Sequence, residues 1–406
     1  MLNRGRLGRG RVTLVAVLCC AAVLVLPPAV ARADAIRNNQ QWVLAMMNVP
    51  AAWQLTQGAG VTVAVLDSGV DPYVSDLAGS VLTGPDYTGV GTSSADPNWG
   101  VHGTWMASLI AGHGHDGGLD GIMGIAPQSQ VLSIRVIPDR ADPHYGAYER
   151  EPETRIQQSL ADGITYAVRH GAKVISMSIG YGAPSATVRK ALLFAYSRGV
   201  VVVASAGNSG GSDDAGEAGP SPESFPADYP GVISVGAVNE AGAVAEFSSD
   251  NLSVQVAAPG VLVPAQGRDG QYWWVSGTSP ACALVAGVAA LIKSLYPHLA
   301  PDLVATALTS TTTNRPAHGY DSALGFGIVD ASAALARAGQ LARERHRATG
   351  TAARAVFGGG PAAISPDPVG PRGIAPLILF SLLALVSLAV VGLAGARLVT
   401  PRRART

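Results

Sequence analysis

The sequence predicts a doubly wound α/β protein, a mostly parallel sheet flanked by helices, followed by one C-terminal transmembrane helix. Three observations carry this reading. Between Gln40 and about Ala338, short β-branched runs alternate with helical stretches, the signature of α/β architecture. The runs are apolar almost without interruption, as strands are when both faces of a parallel sheet are covered. Near the end, Ile374 to Ala396 gives 23 residues without a charge. A helix of that length crosses about 30 Å of hydrocarbon.

The elements follow in order. Arg4, Arg6, Arg9 and Arg11 precede an apolar run from Val12 to Leu26, and Ala31-Arg32-Ala33 offers a small-residue cleavage site before Asp34. Residues 1–33 therefore read as a secretory signal peptide. Strands are expected over 61–66, 130–136, 173–178, 199–204 and 232–237, with helices over 104–111, 154–171, 185–198 and 280–296. Residues 34–338 form the folded domain, and its short N-terminal extension should lie on the body with Trp42 and Trp53 as apolar anchors. Pro138–Pro152 and 208–230 read as loops, the first charged, the second rich in Gly, Ser, Asp and Pro. Residues 339–373 lose apolar periodicity and read as a Gly/Pro-rich stalk. The membrane helix over 374–396 and a basic tail over 397–406 complete the chain, and Arg397, Arg402, Arg403 and Arg405 mark the cytoplasmic side. The domain is thereby expected outside the cytoplasmic membrane, tethered by its C-terminus.

Composition excludes other classes. Charged residues are 14% of the chain and mean hydropathy is +0.26, which argues against extensive disorder. Five arginines lie in residues 1–33 and four in 397–406, leaving 19 basic against 28 acidic residues between them. An acidic body lacks the basic face that nucleic acid requires, so no nucleic-acid partner is expected. Cys19 and Cys20 leave with the signal peptide, and Cys282 alone cannot form an intramolecular disulfide.

Four polar residues sit where buried runs end or helices begin. Asp67 closes the first strand, His102 opens a helix in His102-Gly103-Thr104, and Ser279 precedes the long apolar helix. Singly, each has an ordinary explanation as a turn former, a surface imidazole or a helix cap. Together they supply what acyl transfer needs: a hydroxyl, a base to take its proton, and a carboxylate to fix the tautomer of that base. Asn208, in Ala206-Gly207-Asn208, follows another buried strand and can donate its amide to an oxyanion. His113-Gly114-His115-Asp116 has metal-ligating side chains, yet its glycine-flanked loop reads as surface, and neither metal nor cofactor is expected.

The segments around Asp67 (Val-Ala-Val-Leu-Asp-Ser-Gly-Val), His102, Asn208 and Ser279 (Gly-Thr-Ser) resemble, in this order, the subtilisin-like serine proteases. The resemblance runs from about residue 40 to 335. The early Ile36-Arg-Asn-Asn-Gln-Gln-Trp42 segment, the stalk and the anchor narrow it to the mycosins, membrane-anchored proteases associated with type VII secretion in actinobacteria. It implies a serine endopeptidase acting on protein or peptide substrates, with secretion-complex subunits as possible partners. The substrate-binding walls it implies are Ser178, Ile179 and Gly180 on one side and Ala206 and Gly207 on the other. Two positions depart from the family pattern: Val101 replaces the usual glycine before the histidine, and Pro280 follows the serine directly. The alternative reading is a scaffold subunit of a secretion complex in which proteolysis is secondary.

Overall fold

Apolar side chains that alternate along a strand reach both faces of a sheet, so a fully apolar strand needs cover on both sides. The computed structural model, described over residues 35–211 and 220–351, provides it. In chain order the first elements are α1 (Ala35–Met46), α2 (Val49–Trp53), β1 (Thr62–Asp67), β2 (Val81–Asp86), α3 (Val101–Ala111), β3 (His113–His115) and β4 (Asp120–Met123). There follow β5 (Gln130–Arg135), α4 (Tyr145–Glu149), α5 (Glu153–Arg169), β6 (Val174–Met177), α6 (Ala186–Ser197), β7 (Val201–Ser205) and β8 (Val232–Val238). The last are β9 (Val254–Pro259), β10 (Val263–Gln266), β11 (Tyr272–Val275), α7 (Thr278–Leu295), α8 (Pro301–Ser310) and α9 (Ala331–Thr351).

Among the described residues, seven strands pair in the order β2-β5-β1-β6-β7-β8-β9, all parallel. The chain fills one flank of β1 first and then crosses to the other, and such a reversal leaves a crevice at the carboxyl ends of the strands. Val63 and Val65 of β1 enter one core with α3 and α7, while Ala64 and Leu66 enter the other with α5 and α6. Helix α7 is long and apolar enough to cross a membrane, but it is a buried core helix lying across the sheet. Small residues let it lie close: a Cβ at Gly287 would stand 2.5 Å from Cβ of Ile125.

Each strand and helix expected between residues 61 and 296 is present, with ends shifted by a few residues. Helix α7 begins at Thr278 rather than Pro280, so the proline is its third residue. Residues 339–351, read as the start of the stalk, continue α9, and Leu341 is buried. Within the charged loop, residues 145–149 form the short helix α4. The N-terminal extension packs as expected: Val43 and Leu44 are buried, Trp42 and Trp53 pack against the core, and Trp53 Nε1 donates to Ile125 O at 2.8 Å. The signal peptide, the rest of the stalk, the membrane helix and the basic tail lie outside the described residues.

Candidate active site

The site forms where β1, α3, the turn after β7 and the start of α7 converge. Asp67 ends β1 with 2% exposure, and its Oδ1 accepts the Ser68 N–H at 2.7 Å and the His102 ring at Nδ1 at 2.8 Å. An ionised carboxylate only accepts, so Nδ1 carries the proton and Nε2 keeps its lone pair. Helix α3 must approach β1 closely for this contact. Gly103 permits it, because a Cβ there would fall 2.0 Å from Gly69 O.

Asp139 is a residue whose role sequence reading missed. It is 8% exposed, and it accepts the N–H groups of Val101 at 2.8 Å and His102 at 2.9 Å. The N-cap residue of α3, Gly100, has no side chain, so a carboxylate from the charged loop caps the helix instead. This contact also uses the N–H of Val101, where the sequence departs from the family pattern. Burial opposes protonation of His102, but the charge of Asp67, its hydrogen bond and the charge of Asp139 hold the imidazole above its usual range. Burial raises the Asp139 carboxyl too, against the N–H bonds that favour its ionised form.

Asn208 stands just beyond β7. Its Oδ1 accepts both the backbone N–H and the hydroxyl of Thr278 at 2.9 Å. Two donors on one oxygen settle which end of the amide is which, and among the described residues Nδ2 has no hydrogen-bond partner. Ser279 is the second residue of α7, where N–H groups have no partner within the helix. Pro280, one residue further, lacks an N–H that would also go unpaired, so it leaves the helix ladder intact.

His102 and Ser279 line one cavity of about 200 Å³ together with Trp105, Met106, Trp273, Trp274 and Pro280. Among the described residues no hydrogen bond joins Ser279 Oγ to His102 Nε2, a contact that in serine hydrolases often tightens only with substrate. Trp105 lies one helical turn after His102, its ring 6.1 Å from the imidazole and 6.1 Å from Trp273. That i, i+3 spacing was the available sequence signal for it.

The five residues expected to line the substrate cleft follow two neighbouring strands. Ser178, Ile179 and Gly180 come after β6, and Ala206 and Gly207 after β7. Ser178 Oγ donates to Ser279 O at 3.4 Å, and the Gly207 N–H donates to Thr278 Oγ at 3.2 Å. Cys282 is buried in α7, and burial pushes its thiol up to about 12, away from the thiolate that a reactive cysteine needs. Elsewhere, His115 Nδ1 contacts the buried Asp76 at 2.7 Å. Ligand atoms of His115, Asp116 and Asp120 lie within 4.8 Å of one another, beside loop carbonyls that accept from Arg37.

Fold and site define a class, and comparison with known proteins agrees. Residues 58–327 match the subtilase family, peptidase S8, and the chain belongs to that family of serine endopeptidases. Thermitase of Thermoactinomyces vulgaris is 33% identical over 261 residues, 64% of this chain and 85% of the relative. Subtilisin DY of Bacillus licheniformis is 34% identical over 278 residues, 68% of this chain and 92% of the relative. Among solved structures the chain is similar to mycosins. MycP1 from Mycobacterium smegmatis superposes with a TM-score of 0.59 at 30% identity, covering 72% of this chain and 84% of that one. MycP3 from a type VII (ESX-3) secretion system gives 0.60 at 30% identity, covering 77% and 90%.

Proposed function

We propose that this chain is a membrane-anchored, extracytoplasmic serine endopeptidase of the mycosin type, with Asp67, His102 and Ser279 as its triad. Ser279 Oγ attacks the peptide carbonyl while His102 Nε2 takes its proton, and Asp67 steadies the resulting imidazolium through Nδ1. The carbonyl oxygen becomes an anion held by Asn208 Nδ2 and the Ser279 N–H at the start of α7. His102 then gives the proton to the leaving amine, and a water activated by the same imidazole releases the acyl group from Ser279. The carrying observation is the Asp67–His102 pair at 2.8 Å facing Ser279 across one cavity.

The anchor, the orientation and a place beside a type VII secretion apparatus rest on the sequence of both ends and on the mycosin neighbours. A fluorophosphonate probe on the purified chain is expected to label Ser279, and His102→Ala should abolish labelling. A folded wild-type protein that stays unlabelled would overturn the triad and leave the scaffold reading in its place.

A further inference from the structure

In the mechanism above, His102 hands its proton to the leaving amine. The peptide carrying that amine must therefore lie on the His102 side of Ser279. That side is the 200 Å³ cavity walled by Trp105, Trp273 and Trp274. Trp273 and Trp274 are 48% and 51% exposed, an unusual amount of bare aromatic surface for consecutive strand residues. They belong to β11 of the β10–β11 ribbon, which stands outside the main sheet.

Trp274 also lines a second cavity of about 1120 Å³, more than five times larger. Its lining includes Asn39 and Gln41 of α1, Asn239 and Glu240 after β8, and Leu262 and Trp274. The two cavities share one lining residue, Trp274, and a hydrogen bond joins their walls a second time. Ser276, which lines the first, accepts the N–H of Leu262, which lines the second, at 2.9 Å. Leu262 has φ 51° and 58% exposure, so an apolar side chain is held in the left-handed region at the groove's rim.

We propose that Trp274 and the exposed face of α1 form the leaving-side track of the cleft, which takes several residues of extended polypeptide C-terminal to the cut bond. The inference rests on the protease reading. It assigns the substrate class: a polypeptide with chain to spare beyond the cut, rather than a short peptide or a chain cut at its last bond. Side-chain amides donate and accept equally well, so Asn39 and Gln41 suit peptide backbone, and the Glu240 carboxylate disfavours acidic side chains there. The indole and the leucine offer a ledge to apolar side chains. The first cavity, being small and walled by tryptophans, takes the side chain of the residue that carries the leaving amine.

The test uses internally quenched peptides with a fixed sequence before the cut and one, two, four or six residues after it. For the wild-type chain kcat/KM should rise at least tenfold from the shortest to the longest. In Trp274→Ala, and separately in Asn39→Ala/Gln41→Ala, all at exposed positions, the ratio of long to short should fall towards one while the melting temperature holds. Equal rates for short and long peptides overturn the track, as does a length gain that survives both substitutions. Absence of fluorophosphonate labelling together with no hydrolysis of any peptide overturns the protease reading itself, a different and separable failure.

Discussion

Three of the four side chains proposed to carry the chemistry are held by a neighbour that does none. Asp67 is oriented by the Ser68 N–H, Asn208 by Thr278, and the helix bearing His102 by Asp139. Asp139 is the most exposed to test, because its charge raises the His102 imidazole while its oxygens cap the helix. Asp139→Asn keeps the size and one acceptor but removes the charge. His102 should then lose its proton at lower pH, so the acidic limb of the kcat/KM profile moves to lower pH. A loss of stability with an unmoved limb would show that Asp139 is only a cap. The placement of this loop also bears on specificity. Asp139 is committed to α3 and Asp142 to Arg135 at 2.7 Å, so neither is spare to meet a substrate cation in the cleft. The walls Ser178–Gly180 and Ala206-Gly207 carry no charge, and burying an unpaired Arg or Lys between them is costly. A peptide library should therefore report cleavage after small or apolar residues; a strong preference for Arg or Lys would contradict it.

At the scale of elements, the tightest constraint is the seat of α7 on the sheet. Gly287→Val would drive new methyls into Ile125, and overpacking of this kind typically costs about 1–3 kcal/mol. Thermal denaturation should register that loss, and a neutral outcome would mean that α7 has room to shift. Five of the seven strands of the parallel sheet were legible because burial on both faces writes a continuous apolar run; the edge strand β9, Val-Gln-Val-Ala-Ala-Pro, was not, since Gln255 interrupts its apolar run. The edge strand β2, Val-Leu-Thr-Gly-Pro-Asp, was not: it is half exposed and carries Gly84 and Pro85, which sheet edges tolerate. The β10–β11 ribbon escaped for a related reason, since Trp273 and Trp274 face solvent and break alternation. At the site, Asp67, His102, Asn208 and Ser279 could be found because each ends or begins an element. Asp139 could not, because its partner is a backbone N–H 37 residues away, and nothing in a local pattern reports that.

Taken whole, the domain is read as the extracytoplasmic part of an anchored chain, and that reading makes its own prediction. The full-length protein should stay in the membrane fraction through alkaline carbonate washing, with Asp34 as its first residue. A chain ended after Arg345 should be released in soluble, probe-reactive form; its retention would refute the single C-terminal tether. The two ends of the catalytic body are also fastened to each other. The Ala331 N–H donates to Met47 O at 2.8 Å, and Asn48 Nδ2 reaches the Asp330 carboxylate at 3.3 Å. Mechanically, this is a clasp across the load path. Tension arriving from a tethered C-terminus would enter along α9, work first against the buried Leu341, Ala338 and Leu335, and only then reach the 47–331 junction, with the strap bearing α1 on the other side of it. A protease fastened in this way shares the pull between both ends of its chain, so α9 cannot be peeled away as far as Ala331 without also loading the turn that follows α1.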